Sequence, residues 1–170
     1  MNAEQLRALQ APLKEHYRAA PEAALIKLHA QGRCGENVSC RVETGKAPVV
    51  AGLHPSAGGS GQTACSGDML LQALVACAGV TLNVVATALG IELRDATLRA
   101  EGDLDARGAL GLSKEVPVGF KDIRLQFTLD TDASEEQLAT LLRLTERYCV
   151  VYQTLAHAPA LTVTRKRAGA

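Results

Sequence analysis

The sequence from Met69 to Leu89 contains no charged residue, and this long run constrains the fold more than any other feature of the chain. Its length and apolar character predict one continuous helix. Asp68 lies where the first turn favours a carboxylate, Ser66 is suited to cap the N-terminus, and Gly90 is suited to end the helix. A core helix buried on every side and a helix spanning a bilayer would both explain the run.

The composition of the run favours the core helix, without excluding the membrane helix. Polar Gln72 and Asn83 interrupt it, many of its residues are weakly apolar alanines, and no aromatic belt or basic cluster flanks it. The chain has 170 residues, which suits one ordinary domain with a substantial core. We therefore expect a single domain over residues 1–170, with a leading helix in 1–20 and the core in 24–166.

Charge and aromatic content argue against nucleic acid as a partner. Lys plus Arg and Asp plus Glu number 18 each, so the net charge is zero. The chain has no Trp, two Phe and three Tyr, too few for a platform that stacks bases. The charged N-terminal segment does not resemble a signal peptide, so a cytoplasmic protein is expected. Disulfides are rare in that compartment unless they do redox work, so the presence of five cysteines requires an explanation.

Several further elements follow from local patterns. Leu6, Leu9 and Leu13 predict a leading helix over Ala3–His16. The next six elements are short strands and the turns and loop that connect them. They are strands over Ala24–Ala30, Val38–Val42 and Pro48–Leu53, turns at Gly32–Gly35 and Gly45–Lys46, and a loop over His54–Thr63.

The second half of the chain predicts an antiparallel sheet. Apolar and polar residues alternate over 98–105 and again over 123–129, which is typical of two half-buried strands. Ser134–Gln137 forms a capping box that begins a second long helix, and Leu161–Thr164 is read as a last short strand. The fold class expected is α+β, with an antiparallel sheet packed against two long central helices and an extra helix at the N-terminus.

Helical phase predicts that two cysteines converge. The spacings along the second helix place Leu138, Leu142, Thr145, Cys149 and Tyr152 on its apolar face. Cys149 therefore points toward the central helix, which carries Cys77 near its middle. Taken alone, each cysteine is more often small apolar filler in a buried position, and it is the presence of two inward cysteines on the two helices that favours a pair.

Two segments around these cysteines resemble the OsmC/Ohr family. Residues 68–77 run from an acidic residue through an apolar, Ala-rich helix into Cys77, as the family's first cysteine helix does. Residues 146–155 resemble the family's second motif, Cys-Pro-Val-Ser-Asn/Gln-Thr-Leu, with Val150 in place of the Pro. The order and spacing of the elements agree from about Ala24 onward, so the chain is identified as a member of the family.

The resemblance implies a function and a mechanism. It implies a homodimer with its active sites at the interface, in which Cys77 attacks an organic hydroperoxide and Cys149 then forms a disulfide with it. A dithiol, lipoyl in well-studied branches, would reduce that disulfide. The family places an Arg in a turn after the first strand, which makes Arg33 the candidate partner of the thiolate. Its helper Glu falls on Gly67 here, so Asp68 is the candidate substitute, although a helix-start charge is its simpler role.

Two alternatives and some minor features remain. The rival function is a non-catalytic dimer that binds a small apolar ligand or acts in the stress response. Walls formed by Leu70, Leu74, Val80 and Leu142 would favour a hydrophobic peroxide as substrate. No metal or cofactor site is expected, because the spacing of Cys34 and Cys40 is not that of a zinc site. Cys65 is read as a passive or accessory thiol.

Overall fold

The computed structural model describes residues 2–20, 31–35, 39–44 and 47–167 of the chain. The strand predicted over Ala24–Ala30 and the turn at Gly45–Lys46 lie outside these residues. The helices are α1 Ala3–Ala19, α2 Ser66–Leu89, α3 Ala106–Ala109, α4 Glu135–Tyr148 and α5 Val150–Ala156. The strands are β1 Gln31–Gly35, β2 Ser39–Thr44, β3 Ala47–Gly52, β4 Ala64–Cys65, β5 Asp95–Leu104 and β6 Phe120–Asp130. The mixed α+β class is as predicted.

The leading helix is confirmed and extends three residues beyond its predicted end, to Ala19. Asn2 caps it, since the Asn2 side chain accepts from the Gln5 amide at 2.9 Å and the Gln5 side chain accepts from the Asn2 amide at 3.0 Å. This reciprocal pair satisfies two amide groups that have no partner inside the helix. α1 packs against α2.

The first sheet has the strand order β1-β2-β3-β4. β1, β2 and β3 are antiparallel neighbours, and β4 runs parallel to β3. The turn predicted at Gly32–Gly35 is wrong, because these residues belong to β1 and pair with β2 from Gly32↔Val42 to Gly35↔Ser39. Glycine favours a turn when a segment is considered alone. Here the hydrogen bonds to β2 hold the segment in an extended conformation. The loop predicted over His54–Thr63 is confirmed and holds one turn of 3-10 helix, Pro55–Ala57.

The second sheet is the antiparallel pair β5–β6, as the alternating pattern predicts. Burial alternates along both strands, so one face is shielded and the other is open to solvent. The shielded face carries the apolar residues and packs on α2, while the open face carries ion pairs such as Arg124 with Asp103. The residues of the shielded face that surround the cysteine cluster are Leu98, Ala100, Ile123, Leu125 and Phe127.

α2 lies at the centre of the fold, but it is not buried on every side as predicted. One face packs on α4, α5 and β5, with the buried residues Leu74, Ala78, Leu82, Val85 and Ala86 at helical spacing. The opposite face is open, and Val80 there is 66% exposed. Among the described residues α2 alone is long and apolar enough to cross a bilayer, at a mean hydropathy of 2.0. Core helices of soluble proteins reach the same length and hydropathy, so this is weak support for a membrane span.

Both ends of α2 follow from backbone conformation. Gly90 adopts φ 70° in the left-handed region and ends the helix, as predicted. The prediction of Ser66 as the N-cap is wrong by one residue. Ala64 and Cys65 pair with β3, so Cys65 is the last extended residue and occupies the N-cap position, without a capping hydrogen bond from its side chain.

The second long helix of the prediction is two helices. α4 begins at the predicted capping box, in which Ser134 and Gln137 bond reciprocally. It ends at Tyr148, because Cys149 is extended, with φ −74° and ψ 107°, and α5 begins at Val150. Cys149 therefore joins the two helices rather than lying within one.

The final strand predicted over Leu161–Thr164 is not formed by the described residues. This segment is without regular structure, and Leu161 and Val163 are 89% and 96% exposed. An alternating sequence becomes a strand only where a neighbouring strand supplies hydrogen bonds.

Candidate thiol site

The two predicted cysteines lie in one apolar cluster beneath the β5–β6 sheet. Cys149 is 1% exposed and packs with Leu74 and Ala78 of α2, while Cys77 is partly exposed and packs against the same group. Each of these two thiols shifts the pKa of the other, so they are close enough to interact. The structure therefore places side by side two sulfurs that are 72 residues apart in the chain.

The surroundings of Cys77 favour its thiolate. Burial alone raises the pKa of this thiol, but the neighbouring backbone amides of Val151 and Val150 and the thiol of Cys149 lower it. The donors outweigh the burial, so the pKa of Cys77 lies below its ordinary value. Because the thiolate is the reactive form of cysteine, Cys77 is suited to act as a nucleophile.

The surroundings of Cys149 favour the neutral thiol. Burial raises its pKa, and the negative charge on Cys77 raises it further. The Tyr152 amide opposes this shift by donating to Cys149 Sγ at 3.5 Å, but the net direction is upward. As the pH rises, Cys77 therefore ionises before Cys149, which gives the two sulfurs different chemical characters.

The break between α4 and α5 creates the donors for Cys77. In a continuous helix the amides of Val150 and Val151 would bond to carbonyls four residues earlier. At the start of α5 these amides have no partner within the helix, so they are free to donate to the sulfur. The extended conformation of Cys149 thus has two consequences: it buries the second thiol and it directs two amides toward the first.

The other predicted site residues lie elsewhere or outside the described part. Asp68 is exposed in the first turn of α2, nine positions before Cys77, which is about 13 Å along a helix axis. The structure does not bring Asp68 to the thiols, so its predicted simpler role as a helix-start charge is the one its position fits. Arg33 lies in β1 opposite Arg41, but its side chain is outside the described part of the chain, so its contact with Cys77 remains a prediction.

Phe120 occupies the space that a side chain at position 67 would need. A Cβ atom on Gly67 would lie 3.3 Å from Phe120 Cζ, and the same ring covers Gly102 so closely that a Cβ there would overlap it. This ring contact gives a structural reason for glycine where the family's helper carboxylate is expected. Sequence reasoning noted the missing carboxylate but did not identify the aromatic ring that replaces it.

A cavity of about 340 Å³ lies beside the cysteine cluster and shares Leu74 and Tyr152 with it. Its other lining residues include Phe120, Ile123, Leu125 and Leu155, with Lys121 and Asp122 among its polar groups. Of the four predicted apolar wall residues, one lines this cavity in the single chain. Leu74 adjoins the site, whereas Leu142 packs in a separate cluster with Leu82 and Leu141, and Leu70 and Val80 are 37% and 66% exposed.

Sequence reasoning found both thiols but missed the backbone donors. The signal was present at position 150, where the family's proline is replaced by Val150, because proline has no amide hydrogen to donate. Within the described residues no group of three or more His, Cys, Asp or Glu is arranged to hold a metal ion.

The chain is thus an α+β protein in which two cysteines lie together between the helices and the β5–β6 sheet. The sequence model of the family described as OsmC-like protein matches residues 59–164, and the chain belongs to that family. No curated protein matches the sequence.

Solved structures share the fold at low sequence identity. An OsmC-like protein from Mycoplasma pneumoniae is 17% identical with a TM-score of 0.67, covering 78% of this chain and 89% of that one. An organic hydroperoxide resistance protein from Elizabethkingia anophelis is 15% identical with a TM-score of 0.63, covering 79% and 91%. The protein OsmC from Legionella pneumophila, also an organic hydroperoxide resistance protein, is 19% identical with a TM-score of 0.61, covering 78% and 91%.

Proposed function

We propose that this protein is a thiol-dependent peroxidase that reduces organic hydroperoxides through Cys77 and Cys149. The observation that carries the proposal is that Cys77 and Cys149 lie in one apolar cluster, and the opposite directions of their pKa shifts support it. A reductase of this kind needs a thiolate to attack and a neighbouring protonated thiol to complete the disulfide. The hydroperoxide resistance proteins of the same fold support the choice of substrate.

The reaction consumes one hydroperoxide for each disulfide formed. The Cys77 thiolate attacks the outer peroxide oxygen, the O–O bond breaks, and the alkoxide takes up a proton and leaves as the alcohol. Cys77 is then a sulfenic acid. The Cys149 sulfur attacks the Cys77 sulfur, an S–S bond forms, and water leaves. A dithiol such as a lipoyl group returns two electrons and two protons by thiol–disulfide exchange.

We also propose that two copies of the chain form a homodimer through the open face of α2. Leu70, Cys77 and Val84 recur at intervals of seven, so they lie along one side of this helix, with Val80 beside them. Val80 and Val84 are 66% and 38% exposed in the single chain. Contact with a second copy would shield these apolar side chains and would enclose Cys77 at the interface.

A charge on this face tests the dimer. We expect Val80→Glu to shift the sedimentation coefficient from dimer to monomer, because a buried unpaired carboxylate is strongly unfavourable. Val118→Glu is the matched control, since Val118 is also 66% exposed but lies in the connection between β5 and β6. Equal sedimentation of both variants and the parent protein would show that α2 does not form the interface.

The peroxidase proposal is tested by following consumption of cumene hydroperoxide with dihydrolipoamide as reductant. In a background where Cys34 and Cys40 are serine, we expect Cys77→Ser to abolish turnover and Cys149→Ser to permit one equivalent of peroxide to react before turnover stops. Cys65→Ser is the matched control, because Cys65 is a partly exposed free thiol outside the pair. Undiminished turnover in Cys77→Ser would contradict the proposal.

The cavity beside Leu74 favours one alternative, a non-catalytic dimer that binds a small apolar ligand. Its volume of about 340 Å³ and the apolar side chains in its wall suit the apolar part of such a ligand, and Lys121 and Asp122 supply polar groups. The peroxidase requires the thiol of Cys77, whereas a ligand-binding protein does not. A binding protein would retain its affinity for cumyl alcohol in Cys77→Ser and, with Cys34 and Cys40 replaced by serine, would consume no hydroperoxide.

A further inference from the structure

Two cysteines that the thiol site does not use lie opposite each other in the first sheet. The antiparallel register of β1 and β2 pairs Cys34 with Cys40. Residues opposite each other in antiparallel strands belong to the same face, and their Cα atoms are about 4.5–5.5 Å apart. Disulfides usually join Cα atoms separated by about 4.4–6.8 Å, so this register position satisfies their main geometric requirement.

The register also separates this pair from the nearest other cysteine in the sheet. Cys65 of β4 is paired with Gly52, which is paired with Ser39 of β2. Ser39 precedes Cys40, and successive residues of a strand belong to opposite faces of the sheet. Cys65 is therefore assigned to the face opposite Cys34 and Cys40. Of the cysteines in the four strands, only Cys34 and Cys40 share both a face and a register position.

We propose that Cys34 and Cys40 are a second redox pair, which closes to a disulfide across β1 and β2 when organic hydroperoxide is present. One thiolate attacks the hydroperoxide, its O–O bond breaks, and the alcohol leaves. The resulting sulfenic acid is attacked by the other sulfur, an S–S bond forms, and water is released. Two electrons pass from the two sulfurs to the peroxide, and a dithiol reverses the change by exchange.

The consequence of this disulfide is a covalent clamp on an edge strand. β1 is at the end of the sheet and, among the described residues, pairs with β2 alone. It contains Gly32 and Gly35, and glycine weakens a strand because it adds backbone entropy and no packing side chain. A bond from Cys34 to β2 would hold in place the strand that also carries Arg33, the predicted partner of the thiolate.

Trypsin separates this pair from the catalytic pair, which makes the test direct. Cleavage after Arg33 and Arg41 releases Cys34 and Cys40 together in one peptide, 34–41. Cleavage after Lys46 and Arg94 releases Cys65 and Cys77 in the peptide 47–94. Cys149 is in the peptide 148–165. An internal Cys34–Cys40 disulfide therefore makes peptide 34–41 lighter by two hydrogen atoms, and the proposed Cys77–Cys149 disulfide joins two other peptides.

The experiment uses the full chain carrying Cys77→Ser and Cys149→Ser. In this protein no Cys77–Cys149 disulfide can form and oxidise Cys34 and Cys40 by exchange. The protein is reduced, exposed to cumene hydroperoxide, alkylated and digested. We expect peptide 34–41 to lose two hydrogen atoms and both sites of alkylation, and to regain both sites after dithiothreitol. Cys40→Ser in the same background should leave Cys34 without an internal link, while Cys65 remains open to alkylation in both proteins.

Other results would overturn the proposal without bearing on the peroxidase reaction. Full alkylation of Cys34 and Cys40 after exposure to the hydroperoxide would show that they do not form a pair. Sulfonic acid at either cysteine, or a link from Cys34 to Cys65 or to a second chain, would show that the opposed register does not govern their oxidation. Hydrogen exchange of the β1 amides gives a second readout, and the clamp predicts slower exchange in the oxidised protein than in its Cys40→Ser variant.

Discussion

Replacing Val150 with proline removes one hydrogen-bond donor from Cys77 and leaves the surrounding fold in place. Val150 is the first residue of α5, where proline is favoured because an amide there has no partner within the helix. Cys149 already has the extended conformation that a residue before proline requires, with φ −74° and ψ 107°. The Val150 side chain is 68% exposed, so its loss removes little packing. The substitution therefore acts mainly on the amide that donates to the Cys77 sulfur.

The expected change in reactivity follows from the strength of that bond. A hydrogen bond to an ionised group contributes about 1.5–3 kcal/mol, so its loss lowers the thiolate population about ten- to hundred-fold at a pH below the pKa. A more basic thiolate is also a better nucleophile, with a Brønsted coefficient of about 0.4–0.5, which offsets nearly half of the loss on a logarithmic scale. The net prediction is a rate of exchange with an aromatic disulfide about four- to fifteen-fold lower.

The assay is the pH dependence of that exchange in a background where Cys34, Cys40 and Cys65 are serine. We expect the pKa of Cys77 to rise in Val150→Pro and to stay unchanged in Val150→Ala, which loses the side chain but retains the amide. Circular dichroism checks that α5 persists in both variants. If Val150→Pro and Val150→Ala give the same profile while both remain folded, the amide does not stabilise the thiolate and the reasoning about the helix break is refuted.

Three further predictions concern the pair and its support. Cys149→Ala should raise the pKa of Cys77 by removing a thiol donor, and it should leave Cys77 as sulfinic or sulfonic acid after excess peroxide, as mass spectrometry would show. Since the pKa of Cys77 is lowered on folding, ionisation of this thiol stabilises the fold as pH rises through the folded pKa. The difference in urea midpoint between the parent protein and Cys77→Ala should therefore grow with pH, and a constant difference would contradict the shift. Leu141→Ala should lower the free energy of unfolding by about 2.7–5 kcal/mol because Leu141 is 0% exposed. Leu112→Ala, at a site 73% exposed, should change it by less than about 0.5 kcal/mol in the same urea titration.

The elements predicted best from the sequence are those whose pattern depends on their own residues. The capping boxes at Asn2 and Ser134 and the left-handed Gly90 involve only residues close together in the chain. The alternation in β5 and β6 follows from the burial of one face of each strand. The leading helix, the long hairpin and the end of α2 were predictable for this reason, although the cap at Asn2 was not itself identified. The phase of Cys149 was also correct, since it faces α2 as the spacing from Leu138 predicts.

The errors arise where another part of the molecule decides the conformation. Gly32–Gly35 reads as a turn in isolation, but pairing with β2 makes it a strand. Leu161–Thr164 reads as a strand, but the described residues offer it no partner. The break at Cys149 was missed because the spacing of apolar residues continues across it, and only the conformation of Cys149 separates α4 from α5.

Gly67, Phe120 and Val150 together suggest how the thiol site differs from the family's motif. A side chain at position 67 would begin 3.3 Å from the Phe120 ring, which also covers Gly102 and lines the cavity beside Leu74, so the ring would have to shift slightly to admit it. The chain therefore replaces a charged group near the start of α2 with an apolar wall. The break at Cys149 directs two amides toward Cys77, and with valine rather than proline at position 150 both of them carry a hydrogen. Neutral backbone donors need no carboxylate to orient them, because the start of α5 fixes their direction. On this argument, the two departures from the family's motif are linked: the wall removes a charged helper, and the additional amide supports the thiolate in its absence.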